Sequence, residues 1–169
     1  MRAVAVLTVA AVLAAPAASA PFLIVGDKVV GGVRMTSTLT QARATLGAPD
    51  RTRRVSGGEC RAVWRSLGLT LTFADLSGSA PCTRGAAVIA VATAVKWHTL
   101  KGLRVGQPVA RLRALYPTAI FHRGAPYQGW WLIPRRTCAE VGRQPYPGLL
   151  ARTAHRRVAA FVVTVAACE

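Results

Sequence analysis

The segment Gly32-Val33-Arg34-Met35-Thr36-Ser37-Thr38-Leu39-Thr40-Gln41-Ala42-Arg43-Ala44-Thr45-Leu46-Gly47-Ala48-Pro49 has a counterpart seventy residues further on. The counterpart reads Gly102-Leu103-Arg104-Val105-Gly106-Gln107-Pro108-Val109-Ala110-Arg111-Leu112-Arg113-Ala114-Leu115-Tyr116-Pro117. Without a gap, Gly32 aligns with Gly102, Arg34 with Arg104, Met35 with Val105 and Arg43 with Arg113. The apolar matches Leu39/Val109, Ala42/Leu112 and Leu46/Tyr116 fall at i, i+3 and i+7, one face of a helix. Self-similarity at a fixed spacing is the mark of a repeated structural unit.

Local chemistry supports a short helix in each copy. Thr38 and Gln41 have the spacing of a capping box, with Thr38 as N-cap and Gln41 three residues on. Gly47 suits the position just past the helix, and Pro49 stops its continuation. In the second copy Pro108 suits the first helical position, where a missing N–H costs nothing, and Pro117 ends the helix. Strands are expected after each helix. Leu69, Leu71 and Phe73 alternate with Thr70, Thr72 and Ala74, the pattern of a half-buried strand. Cys60 to Arg65 precedes it across the turn Ser66-Leu67-Gly68, and Ala86 to Val95 follows. Gly129 to Ile133, Leu149 to Thr153 and Val158 to Val165 take the equivalent places in the second half. Pro145-Tyr146-Pro147-Gly148 reads as a turn, as does His155-Arg156. The expected fold class is α+β, with two tandem repeats covering residues 21–96 and 97–169. Each is a short N-terminal helix followed by an antiparallel meander, the helices lying on one face of the sheet. Trp64 and Trp97 are expected in the core or at its rim.

The N-terminus reads Met1-Arg2, an apolar run from Ala3 to Ala15, Pro16, and Ala17-Ala18-Ser19-Ala20. A basic start, a short apolar stretch and a small-residue motif describe an export signal over residues 1–20, cleaved after Ala20. The alternative is a retained anchor, although the run is shorter than the ~20 residues a spanning helix needs. No stable membrane span is expected after processing, and the chain is expected outside the cytoplasm, secreted or in the cell envelope. The four cysteines, Cys60, Cys82, Cys138 and Cys168, are an even set in an exported chain and read as two disulfides. Three connectivities are possible; Cys60–Cys82 with Cys138–Cys168 closes a short loop in each half.

The segment Met35-Thr36 through Gln41-Ala42, ending Leu46-Gly47-Ala48-Pro49, resembles the signature of the SmpA/OmlA (BamE-like) and β-lactamase-inhibitor-protein-like superfamily. An aromatic strand at Val63-Trp64 and a strand like Leu69 to Phe73 extend the resemblance. In the second half the motif is weaker, with Gly106-Gln107-Pro108 in place of Met-Thr. The inhibitor-like branch is built as a tandem pair of such units, with helices on one face of a curved antiparallel sheet. The resemblance implies a non-enzymatic binding module, inhibitor-like in kind. The lipid-anchored cysteine of the outer-membrane members has no counterpart here, so their assembly role does not carry over.

Chemistry-bearing motifs are sparse. His98, His122 and His155 lie in three separate segments, and H-E-x-x-H, G-x-S-x-G and the phosphate-binding G-x-x-x-x-G-K-[ST] are absent from the sequence. The six acids are scattered singly; Asp50 with Asp75 is the carboxylate pair that folding could assemble, and it carries the alternative reading of a small secreted hydrolase. Neither a cofactor nor a metal is called for. The chain of 169 residues carries 22 Lys+Arg against 6 Asp+Glu, a formal charge of +16. That field attracts acidic surfaces, although arginine richness beside alanine, valine and glycine is also what a GC-rich coding sequence produces. Basic–aromatic interleaving of the nucleic-acid-binding kind is missing, so no specific nucleic acid is expected. Two clusters stand out: Arg51, Arg53 and Arg54, and Trp130-Trp131 followed by Arg135 and Arg136. Adjacent residues on a strand face opposite sides, so one tryptophan is core and the other exposed, unless both pack beneath loops. Exposed Trp with flanking Arg is the composition of interface hot spots. The expected partner is an envelope protein or an anionic envelope polymer.

Overall fold

The computed structural model describes residues 21–55, 57–75, 79–137 and 143–165. The expected leader over 1–20, its cleavage after Ala20, and the Cys138–Cys168 pairing lie outside the described residues. Three short strands open the chain, β1 (Leu23–Val25), β2 (Val29–Val30) and β3 (Val33–Arg34). Helix α1 (Leu39–Leu46) follows, then β4 (Arg51–Val55), β5 (Glu59–Trp64), β6 (Leu69–Ala74) and β7 (Ala86–Ala92). After β8 (His98–Thr99) come α2 (Val109–Leu115), β9 (Ile120–His122), β10 (Gly129–Arg136), β11 (Pro145–Ala154) and β12 (Arg157–Thr164). The described residues are mostly strand, with two short helices, and the class is α+β.

Eight strands form one antiparallel sheet in the order β4-β5-β6-β7-β12-β11-β10-β9. A second sheet, β3-β2-β1-β8, joins the start of the chain to the central connection, β1 running parallel to β8. The hydrophobic alternation read from β6 decides which face of the large sheet is buried. Leu69, Leu71 and Phe73 stand opposite Trp64, Ala62 and Cys60 of β5. All six are within 2% of complete burial. Leu39 and Ala42 of α1 and Leu112 of α2 enter the same apolar cluster, as do Leu149, Phe161 and Val163. Trp97 is fully buried there, its indole N–H donating to the Leu67 carbonyl at 2.7 Å. Trp64 donates to the Gly47 carbonyl at 2.9 Å.

Helix α1 starts as its sequence dictates. Thr38 accepts from the Gln41 amide, and the Gln41 side chain accepts from the Thr38 amide at 2.8 Å, which completes the capping box. Gly47 ends the helix at φ +82°, a backbone angle glycine adopts without strain. Pro108 differs from expectation by one position: it is the N-cap of α2, with extended ψ of 151°, since proline fixes φ and leaves ψ free to hold the chain outside the helix.

Other expectations are corrected. Pro145 to Gly148 is not a turn but the first part of β11. The two prolines there lie opposite Pro134 and Arg136 of β10, beside register shifts at Ile133, where the lost N–H donors disturb little of the ladder. The apolar run Ala86 to Val95 leaves the sheet after Ala92, because the Thr93 amide turns to the Gly68 carbonyl. The strands β1 to β4, β8 and β9 are too short or too polar to show a period of two.

Cys60 and Cys82 form a disulfide with Cα atoms 5.0 Å apart. It ties β5 to the loop that leads into β7. Among the described residues no helix is long and apolar enough to cross a membrane. Thr38→Ala removes the cap and is expected to lower stability by ~1 kcal/mol, read as a shifted urea midpoint with unchanged slope. Replacing both Cys60 and Cys82 with alanine is expected to cost about 3 kcal/mol through the freed loop; equal midpoints would show the bridge adds nothing.

Candidate functional site

The helices cover one face of the eight-stranded sheet; among the described residues no helix covers the other. Register assigns its residues. Arg51 and Arg53 of β4 stand opposite Val63 and Arg61 of β5, and Arg61 and Val63 stand opposite Thr72 and Thr70 of β6. Ile89 and Val91 of β7 continue the row. Arg152 of β11 reaches the same groove, which has a volume of about 540 Å3. Glu59 is the acid on its lining.

Arg53 directly faces Arg61, and like charges directly opposed on a strand pair are destabilising. Arg51, Arg53 and Arg152 are exposed, while Arg61 is half-buried. Among the described residues none of the four makes an ion pair; the carboxylates that do are Asp27 and Asp75. Polar threonines and a floor of Val63, Ile89 and Val91 complete a basic groove with an apolar base.

The aromatic part of the open face is built around Trp131. Its ring stacks on His122 with centroids 3.6 Å apart, and its indole N–H donates to the Tyr127 carbonyl at 3.0 Å. Leu150 and Val162 bury it from the other strands, leaving 7% of the residue exposed. Trp130 points to the helix side, half-buried and 5.4 Å from Phe121 between centroids. Neither tryptophan is an exposed anchor; the exposed apolar residues of this edge are Ile120 and Phe121.

The two sequence clusters therefore divide. Arg51 and Arg53 share the open face, joined by Arg61 and Arg152, which sequence reasoning missed. Arg61 was legible from alternation, since β5 places it two residues from Val63; Arg152 requires the sheet order. Arg54 lies on the other face, opposite Cys60, its guanidinium donating to the Ser79 carbonyl at 3.0 Å. Arg136 is exposed beside Trp131 and Pro145.

Arg135 is structural. Its guanidinium donates to both Asp27 oxygens, at 2.5 and 3.0 Å, and so ties β10 to the β1–β2 turn. The Arg135 hydrogen bonds hold the Asp27 carboxyl below its usual range, against the opposing effect of burial. Gly148 makes room for this pair: a Cβ there would lie 2.8 Å from both the Asp27 carboxylate and the Arg135 stem. The Asp50–Asp75 pairing does not form. Asp50 accepts from the Arg65 amide beyond one end of β5. Asp75 accepts from the Ala80 amide beyond the other end. Among the described residues no three His, Cys, Asp or Glu side chains gather as a metal site.

No protein-family model matches the chain, and no curated protein matches it. A solved structure of an extracellular protein containing a SCP domain, from Bacillus anthracis, is similar over 77% of this chain at 13% identity and a TM-score of 0.47. The chain spans 43% of that protein's length.

Asp27→Asn tests the Asp27–Arg135 pair. The variant is expected to lose about 1–3 kcal/mol at neutral pH. Because the folded-state pKa of Asp27 lies below the unfolded value of about 3.9, the pair's stabilisation is complete above that value. It fades as pH falls through the folded pKa. The gap between the two proteins should therefore be constant above about pH 5 and close in more acidic solution. A gap that persists unchanged at the acid end would remove the carboxylate from the argument.

Proposed function

We propose that this protein is an exported, non-enzymatic interaction module that binds an acidic partner protein through the open face of its eight-stranded sheet. The observation that carries the reading is the set of guanidinium groups of Arg51, Arg53, Arg61 and Arg152, which make no ion pair among the described residues, around an apolar floor. An arginine that only solvates the surface has no reason to sit directly opposite another. A groove that combines arginine forks with Val63, Ile89 and Val91 suits a protein surface, which offers carboxylates beside apolar groups. A purely anionic envelope polymer would need the charges alone.

Two further features support the reading. The element order gives α1 with β4 to β7 and α2 with β9 to β12, and β7 meets β12 at the centre of the sheet. Helices open at Leu39 and Val109, and the strands β5 and β10 at Glu59 and Gly129, each pair seventy residues apart. This agreement favours a tandem duplication, and with it the likeness of the Met35–Pro49 segment to the inhibitor-like branch of the SmpA/OmlA superfamily. The Cys60–Cys82 disulfide favours an oxidising compartment, in keeping with an export signal over residues 1–20. A secreted or envelope protein is then the partner, inhibitor-like binding of a secreted enzyme being the form the resemblance favours.

The test compares capture from an envelope and culture-fluid extract by the native protein and by the combined variant Arg51→Glu, Arg53→Glu, Arg61→Glu. One discrete protein, retained by the native module and reduced at least ten-fold by the variant, is expected. Salt should weaken but not abolish capture, since only the exposed charges are screened. Retention of polymer without a protein would replace this reading with polyanion binding, and retention of neither would end it.

A further inference from the structure

The open face ends at β4, and this edge has a property the face itself does not. Strand β4 (Arg51–Val55) pairs with β5 on one side and stands at the end of the sheet order, so among the described residues no strand lies on its other side. An edge strand offers a row of unpaired backbone N–H and C=O groups. At five residues it is longer than β9, the three-residue strand at the opposite edge. The edge is also held in place. Five consecutive register pairs, Arg51 to Val55 with Val63 to Glu59, fix it to β5, and β5 is pinned by Cys60–Cys82.

We infer that β4 is a strand-addition site for an extended acidic segment of the partner protein, with Arg51, Arg53 and Arg61 reading carboxylates at alternate positions of that segment. The inference rests on the protein-binding reading above and narrows it to one edge and one backbone conformation. Arg51 and Arg53 are two residues apart on one face, a spacing of about 6.8 Å along the strand. An added strand has the same period, so carboxylates at its positions i and i+2 would meet both guanidinium groups as cross-strand neighbours. Arg61, one strand further in and directly opposite Arg53, adds a second fork behind the first. A carboxylate there would relieve the repulsion between Arg53 and Arg61. The other face of β4 is spoken for by Arg54, held on the Ser79 carbonyl, so recognition is one-sided and needs alternation rather than a block of acids. A second copy of this chain is a poor occupant, because its net charge of +16 repels it. Backbone pairing supplies affinity and alternate side chains supply selection, the general division of labour in strand addition.

The experiment uses the full disulfide-bonded protein and labelled synthetic peptides, read by fluorescence anisotropy at low and moderate salt. The first probe is a ten-residue peptide alternating Glu with Thr and Val. The second has the same residues with alternate backbone amides N-methylated on the side that would face β4. The third has the same composition with the acids in one block, and inorganic polyphosphate is the fourth. The alternating peptide is expected to bind at least ten-fold more tightly than the N-methylated and blocked peptides. Arg53→Glu and, separately, Arg51→Glu are expected to weaken it ten-fold or more while circular dichroism stays unchanged. Equal binding of the methylated and unmethylated peptides, or displacement by polyphosphate with no preference among peptides, would overturn strand addition and leave charge attraction alone. If no peptide binds, while the triple arginine variant still loses a partner that the native protein captures, the edge inference fails and the open-face reading stands.

Discussion

The pairing of β7 with β12 is the contact on which the rest depends, because it makes one sheet from two sets of four strands. Its chemistry is a matter of size. On the covered face β7 presents Ala87, Ala90 and Ala92, each within 1% of complete burial. Ala92 lies between Leu69 and Phe161, and Ala90 between Leu71 and Val163. Small residues in the central strand leave room for the large side chains of both neighbouring strands on the covered face. A larger residue at Ala90 would displace Leu71 and Val163 together, with the strain that overpacking brings. The same strand positions α1: the Thr36 amide donates to the Ala87 carbonyl, and the Ala87 amide to the Ser37 carbonyl, both at 2.8 Å.

Once the centre is closed, the two faces acquire different fates. The helices, Trp64, Trp97 and the β1–β3 strands crowd the same apolar cluster, and that side is finished by the fold. The other side keeps only the small cluster of Trp131, Leu150 and Val162, near the β10 end. Its remaining span, from β4 to β7, is floored by branched apolar residues and rimmed by arginines. Both described helices follow a residue at positive φ, Thr36 at +84° and Gly106 at +89°, and pack into the same apolar cluster.

How much of this was legible follows from how each signal is written. The α1 capping box, the β6 alternation and the buried Trp64 and Trp97 were readable because each rests on a local spacing or a strong apolar preference. Strand β4 was not, because Arg51-Thr52-Arg53-Arg54-Val55 is an edge strand with four polar residues and no buried side. The tryptophans were read correctly as facing opposite sides, yet exposure depends on what lies across the strand. His122 and Leu150, from the strands on either side of β10, close over Trp131. Arg135 and Arg136 were grouped as candidate partner-binding residues; both are exposed, but Arg135 is tied to Asp27, 108 residues away in sequence. The Pro145–Gly148 run misled because proline and glycine mark turns by habit; here Gly148 is the bare spot over which the Asp27–Arg135 pair lies.

The arginines show best how structure separates composition from function. A coding bias can supply many of them, but it does not decide which are tied down. Arg135 is held by a carboxylate, Arg54 by a backbone carbonyl and Arg157 by the Gly106 carbonyl at 2.9 Å. Each of these joins two segments and is explained by the fold. Among the described residues Arg51, Arg53, Arg61 and Arg152 make no ion pair, whereas Asp27 and Asp75 pair with other arginines. Folding gains nothing from holding Arg53 across from Arg61, and replacing either with threonine would satisfy the strand better. A cost of that kind, placed over an apolar floor on the sheet face that no described helix covers, is what the proposed binding role accounts for and folding does not.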